Sequence, residues 1–397
     1  MSSTNAKKQS PWMILIIMLI SLVSGAICMN KVAPVLSDIV GDLSISSGTL
    51  SGLLMSIFTF TGILLSVPMG VLTTKYGTFK TGLFALATII VGSVLGAVSG
   101  SYGILLASRL IEGIGLMFLG AIGPATVATA FAGSGSGTAM GLLMCYMSFG
   151  QIIALNVAPI VSAGSSWRNF WWISAAFGAA ALVLWVLFIR DPEQETGNGA
   201  VAESTGAGAT LSDVLKNSNV WLVCITFLLY MIVHFGVFNY LPTYFVEVGG
   251  ISATAAGSIT SIASLVGIPV GIVGGMIADK TGSIKIPLAI TLVLLGVVIG
   301  TIPMFNSSSY VLLIVLYGLF SMAEAGLSFT AVTKVVQANQ GAVASAALNT
   351  AQWLGAFLST MVFGTLLDSF GWNMSFYIMV PLIVIAAVTT LMNKQLK

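Results

Sequence analysis

Charge is what this sequence lacks most. Only 7% of its 397 residues are Asp, Glu, Lys or Arg, and a single one is histidine; a soluble domain carries roughly a quarter charged residues. With 57% hydrophobic residues and a mean hydropathy of +1.04, no polar surface is left for water, so the outside must face lipid. Three cysteines, Cys28, Cys145 and Cys224, sit in apolar stretches without metal-type spacing and read as small core residues. The scarcity of His, Cys and acids excludes a His/Cys metal cluster. A net charge of +2, with no basic run longer than Lys7-Lys8, speaks against nucleic acid as a partner. No P-loop, G-x-S-x-G elbow, H-E-x-x-H or Cys–His pairing occurs, so neither an enzyme, a primary pump nor a cofactor is expected. A removable signal peptide is not expected either. The first apolar run, Pro11 to Met29, has no A-x-A-type site and is long enough to span a bilayer.

What is present is a series of long apolar runs. A bilayer crossing needs about 20 residues, and such runs fall near 11–36, 49–73, 79–98, 102–128, 138–162, 168–189, 219–245, 253–277, 285–304, 309–332, 341–366 and 373–392. They are continuous rather than alternating, so they predict helices and not a barrel. Twelve crossings put both termini on one side. If that side is the cytoplasm, it carries Lys7, Lys8, Lys75, Lys80, Arg190, Lys216, Lys280, Lys285, Lys334, Lys394 and Lys397, 11 of the 14 basic residues. The positive-inside rule favours that orientation. Lys31, Arg109 and Arg168 are the exceptions. Residues 191–217, with Glu193, Glu195, Glu203 and Asp213 among Gly, Ser, Thr and Ala, read as a cytoplasmic linker. The expected organisation is a six-helix bundle over 1–190, the linker over 191–217, and a second six-helix bundle over 218–397.

The bundles read as repeats. Gly70-x-x-x-Thr74-Lys75-x-Gly77-x-x-Lys80 returns as Gly275-x-x-x-Asp279-Lys280-x-Gly282-x-x-Lys285, 205 residues later. Trp167-Arg168-Asn169-Phe170-Trp171-Trp172-Ile173 meets Trp372-Asn373-Met374-Ser375-Phe376-Tyr377-Ile378 at the same offset. Gly115-Leu116-x-Phe118 meets Gly326-Leu327-x-Phe329 at 211. Both copies run in one direction, as in parallel repeats about an axis along the membrane normal, which predicts a site between the halves at the midplane.

These residues carry a family resemblance over essentially the whole chain. The loop after the second helix resembles the Gly-x-x-x-Asp-Arg/Lys-x-Gly motif of the major facilitator superfamily, with Thr74 in place of the acid in the first half. Arg109, Gly113 and Gly115 match that family's Arg-x-x-x-Gly-x-Gly pattern in helix 4. The resemblance implies an all-α membrane fold of two six-helix bundles and transport by alternating access. It also implies that Gly70, Lys75, Gly77, Lys80, Gly275, Asp279, Lys280, Gly282 and Lys285 form a conformational latch. The family's antiporter signature, Gly-Pro-x-x-Gly-Gly in helix 5, is replaced by Ala158-Pro159-Ile160-Val161-Ser162-Ala163.

Charges inside the apolar runs ask for a reason, since each costs roughly 2.5–3.5 kcal/mol at mid-bilayer. Arg109 and Glu112 are spaced to pair at i,i+3. They form either a self-satisfied structural pair or an anion site with a proton-sensitive partner. Glu324 has no base within a helical turn and is expected either to stay neutral on a hydrogen bond or to carry the coupling proton. Lys31 is expected to snorkel to the outer interface or to line an outer vestibule that attracts anions. Arg168 reads as an interfacial anchor, like Trp167, Trp171 and Trp172. His234 and Tyr240 in helix 7, Asn30 in helix 1, Tyr146, Gln151 and Asn156 in helix 5, and Asn349, Gln352 and Trp353 in helix 11 are further candidates for substrate contact or for helix–helix glue.

The expected function is secondary transport, with a small-molecule substrate and a coupling proton, by a monomer in the cell membrane. A small anion is favoured by Arg109, Lys31, the altered antiporter signature and a short likeness of Asn30–Leu36 to cyanate, nitrate and organic-anion branches of the family. Efflux of an amphipathic drug is the alternative, on the strength of 18 Met and 21 Phe. A transport-dead receptor is the remaining one.

Overall fold

The computed structural model describes residues 10–396 except 66–67, 132–135, 190–213, 215, 282 and 338–339. Among the described residues the chain is helical, without strands. The first half comprises α1 (Pro11–Asn30), α2 (Leu36–Asp42), α3 (Gly48–Leu65), α4 (Pro68–Ala97), α5 (Tyr102–Ala130), α6 (Ser136–Met144), α7 (Tyr146–Gly164) and α8 (Trp167–Phe188). The second comprises α9 (Ser218–Glu247), α10 (Ala253–Thr281), α11 (Lys285–Thr301), α12 (Tyr310–Lys334) and α13 (Gly341–Met392).

Among the described residues eleven stretches are long and apolar enough to cross a membrane, and one of them, Val343–Met392, has 50 residues. At 1.5 Å per residue a straight helix of that length would run about 75 Å, more than twice the ~30 Å hydrocarbon core. It is not straight. Gly371 breaks it with φ 74° and ψ 180°, a conformation a Cβ would disfavour. Two crossings replace one, which makes twelve. Gly77 (φ 75°, ψ 169°) turns the chain between the second and third crossings in the same way.

Polarity runs in the sense lipid requires. Leu64, Val91, Val183, Leu187, Val297 and Leu312 are more than half exposed on the outer faces of crossings, while small and polar residues turn inward. The repeat is written into the contacts as well. Trp167 Nε1 donates to Asp42 at 3.3 Å, and Trp372 Nε1 donates to Glu247 at 3.2 Å; donors and acceptors are each 205 positions apart. The sequence offset is therefore a structural offset.

Two expectations need correction. The first crossing does not run unbroken to residue 36: α1 stops at Asn30 and a short turn, Ala33–Val35, leads into α2. Pro34 has no N–H for the carbonyl of Asn30, and its ring clashes there. Trp167 and Trp171 are buried inside the bundle rather than lying at the interface; only Trp172 remains largely exposed. Arg168 is tied down by Asp42 at 2.7 Å and by the Ser99 carbonyl. The linker expected over 191–217 falls almost wholly outside the described residues. So do Gly282 and the side chains of Lys75, Asp279 and Lys280; Gly70 and Gly275 lie in α4 and α10.

Candidate functional site

The break after α1 leaves carbonyls without helical partners deep in the first half, and a buried charge cluster serves them. The Arg109 guanidinium donates to the carbonyls of Cys28 and Met29 (3.1 Å to the latter) and to Glu112 Oε2 at 2.6 Å. Lys31 turns back into the bundle, not toward the interface. Its Nζ lies 2.6 Å from Glu112 Oε1, 3.3 Å from Ser93 Oγ and 4.5 Å from the centre of the Trp171 ring. Ser93 Oγ also donates to Glu112 at 2.7 Å. Lys31, Arg109 and Glu112 are all 0% exposed. The expectation that Lys31 snorkels or lines an outer vestibule is thus overturned, because a buried carboxylate and an aromatic face hold it more favourably than lipid headgroups would. Two cations and one carboxylate leave the cluster at +1, partly offset by the negative end of α1. The Gly113 and Gly115 positions explain why α5 comes this close. A Cβ there would stand 2.4 Å from the Phe58 carbonyl and 2.5 Å from the Ala85 carbonyl.

In the second half Glu324 on α12 is also 0% exposed. Ser328 Oγ donates to its Oε1 at 2.7 Å, and its Oε2 has no partner among the described residues, nor has Ser321 Oγ one turn before it. No basic side chain pairs with it there. His234 on α9 is buried. It stacks between Tyr230 (5.3 Å) and Tyr317 (5.8 Å), and Tyr317 Oη lies 3.0 Å from its Nδ1. Tyr230 Oη caps the Ser321 carbonyl at 2.6 Å. This ladder packs α9 on α12, and His234 is one of its rungs.

Between the halves lies a small cavity bounded by α1, α3, α9 and the first arm of α13. Met29, Asn30, Met55, Ser56, Thr59, Phe235, Asn239, Ala356 and Thr360 line it. Asn30 is the candidate that the cavity and the sequence share, and its neighbours Cys28, Met29 and Lys31 belong to the charged cluster. The cavity therefore borders a net positive charge without a cationic side chain opening into it. Asn349 and Gln352 lie on the α13 stripe that continues through Ala356 and Thr360, at spacings of three and four residues. Tyr146 is a partly buried packing residue, not a cavity one.

The hydrogen bonds joining the halves gather toward the face opposite the termini. Asn30 accepts from Gln151 Nε2 (3.3 Å), and Gln151 in turn accepts from Ser264 Oγ across to α10. Asn156 bonds Ser258 (2.7 Å) and Ser261 (3.1 Å). Tyr240 Oη donates to the Gly48 carbonyl at 3.2 Å, Thr49 pairs with Thr365 at 2.7 Å, and Gly48 N–H donates to Asp368 at 2.6 Å. Sequence reasoning missed Ser47, Thr360, Asp368 and the α10 serines. One sequence holds no signal that pairs position 48 with position 368.

Comparison with known proteins follows the same lines. The profile of the Major Facilitator Superfamily matches residues 13–360. The uncharacterized MFS-type transporter YwfA of Bacillus subtilis is 27% identical over 347 residues, 84% of this chain and 81% of that one. The hexuronate transporter of the same organism is 27% identical over 62% of this chain and 58% of its own length. Among solved structures, a bacterial homologue of the human lysosomal transporter Spinster, in an inward-facing and occupied conformation, superposes with a TM-score of 0.81 over 97% of both chains at 15% identity, a likeness of fold.

Proposed function

Because the chain belongs to the major facilitator superfamily, we propose that it is an alternating-access carrier in which a proton on Glu324 accompanies a small organic or inorganic anion. The balance of buried charge carries this reading. Lys31, Arg109 and Glu112 sum to +1, and Glu324 contributes −1 or 0. With Glu324 ionised and the cavity empty, the interior is neutral. With a proton on Glu324 and one monoanion between the halves, in a site widened from the present cavity of about 10 Å³, it is neutral again. Either partner alone leaves a buried net charge, which a membrane interior disfavours. The two states free to reorient are thus the empty and the fully loaded ones, the condition for symport. The name of the hexuronate relative points the same way, hexuronates being carboxylates. The weight of basic residues on one side supports cytoplasmic termini, and the working unit is a monomer in the plasma membrane.

The Glu324→Gln variant in proteoliposomes tests the coupling. It is expected to retain exchange of labelled for unlabelled anion while losing accumulation driven by a pH gradient. Unchanged accumulation would sink the assignment. Met29, Met55 and Phe235 in the cavity wall favour a second reading, efflux of an amphipathic drug. Expulsion of a cationic dye without anion accumulation is its signature.

A further inference from the structure

We propose that Asp368 is a positioning residue of the transport cycle, whose carboxylate docks on the N-terminus of α3 and latches the halves together at the face opposite the termini. Three features support this. The first is geometry: Asp368 Oδ2 accepts from Gly48 N–H at 2.6 Å and from Ser47 Oγ at 3.3 Å. Gly48 is the first residue of α3, so its N–H is one of the donors that a helix cannot satisfy internally. Ser47, the residue before α3, uses its own Oγ as acceptor for Thr49 N–H at 3.2 Å, and so the Gly48 donor is met from the other half of the molecule.

The second feature is charge. Asp368 has no cationic partner among the described residues. What opposes its charge is the positive end of the α3 dipole. Its titratable neighbour Tyr240, on α9 of the same half, reaches across the seam itself and donates to the Gly48 carbonyl. The third feature is place. The contact lies on the seam between α3 and the first arm of α13, beside the Thr49–Thr365 bond, and alternating access requires that seam to part. Asp368 is exposed, so water can take over its hydrogen bonds as the halves separate. A contact of that kind holds the seam reversibly. The side-chain hydrogen bonds of Asp368 to Ser47 and Gly48 both go to the other half.

The latch rests on the alternating-access reading but on neither the proton nor the anion. The test uses the full-length chain in nanodiscs, with Cys145→Ala removing the partly exposed native thiol and spin labels on Ser46→Cys and Ser369→Cys. The expected wild-type distribution is dominated by one short distance. Asp368→Ala should raise the long-distance fraction at least threefold, and Asp368→Glu should restore most of the short one. A second label pair inside the first half, on Ser101→Cys and Ser165→Cys, should keep its distance in every variant, which separates latch release from misfolding. Unchanged distributions in Asp368→Ala would overturn the latch. No substrate is needed for this readout, so failed anion transport would count against the proposed cargo and leave the latch standing.

Discussion

Replacing Glu112 by Gln should unfold the first half or bring it close to unfolding, whereas replacing Lys31 by Met should be tolerated. The asymmetry follows from charge. Glu112 is the only carboxylate among Lys31, Arg109 and Ser93, with three contacts of 2.6–2.7 Å at 0% exposure. Its loss leaves two buried cations uncompensated, and breaking a buried pair in this way costs about 3–5 kcal/mol. Removing Lys31 leaves a neutral Arg109–Glu112 pair, still bonded to the α1 carbonyls. Thermal unfolding in detergent, followed by size-exclusion profile, checks both. The Lys31→Met carrier should remain monodisperse but bind monoanions more weakly, with a KM raised roughly tenfold, since the interior excess of positive charge is gone. Equal destabilisation by the two substitutions would contradict this view of the cluster.

A second large effect is expected at the crossing of α3 with α13. A Cβ on Gly364 would stand 2.0 Å from the Gly48 carbonyl oxygen, and one on Gly52 2.1 Å from that of Thr360. Both obstacles are backbone, so no rotamer change relieves them. Gly364→Val should prevent this face from closing and cut transport at least tenfold, because a carrier held open on one side cannot complete a cycle. Within its own half the new Cβ meets the Tyr240 hydroxyl at 2.7 Å, the far end of a side chain that can shift, so the variant should still fold and keep its thermal transition. The initial rate of uptake, measured beside that transition, separates the two effects. A rate within twofold of wild type would show that the close crossing is dispensable.

Much of the architecture was legible in the chain. Long apolar runs, their repeat at offset 205 and the bias of basic residues depend on local composition, which one sequence displays. Glu324 and the Arg109–Glu112 pair were visible for the same reason, as charges inside apolar runs. What could not be read is how partners meet across the fold. The fate of Lys31 depends on a carboxylate 81 positions away. For His234 the chain left packing and substrate contact both open, and its stacking with Tyr230 and Tyr317 depends on partners that one sequence does not pair. The cross-half contacts of Ser47, Gly48, Thr360 and Asp368 are made by ordinary residues whose meaning comes from juxtaposition between halves, and no offset links them.

The most direct test of the carrier itself is accumulation of labelled monoanions, carboxylates and inorganic ions alike, by proteoliposomes holding the wild-type chain under an inside-alkaline pH gradient. Accumulation of at least one anion above equilibrium, collapsed by a protonophore, is the expected result. Failure to accumulate any of them, together with expulsion of a cationic dye, would contradict the coupled-anion account.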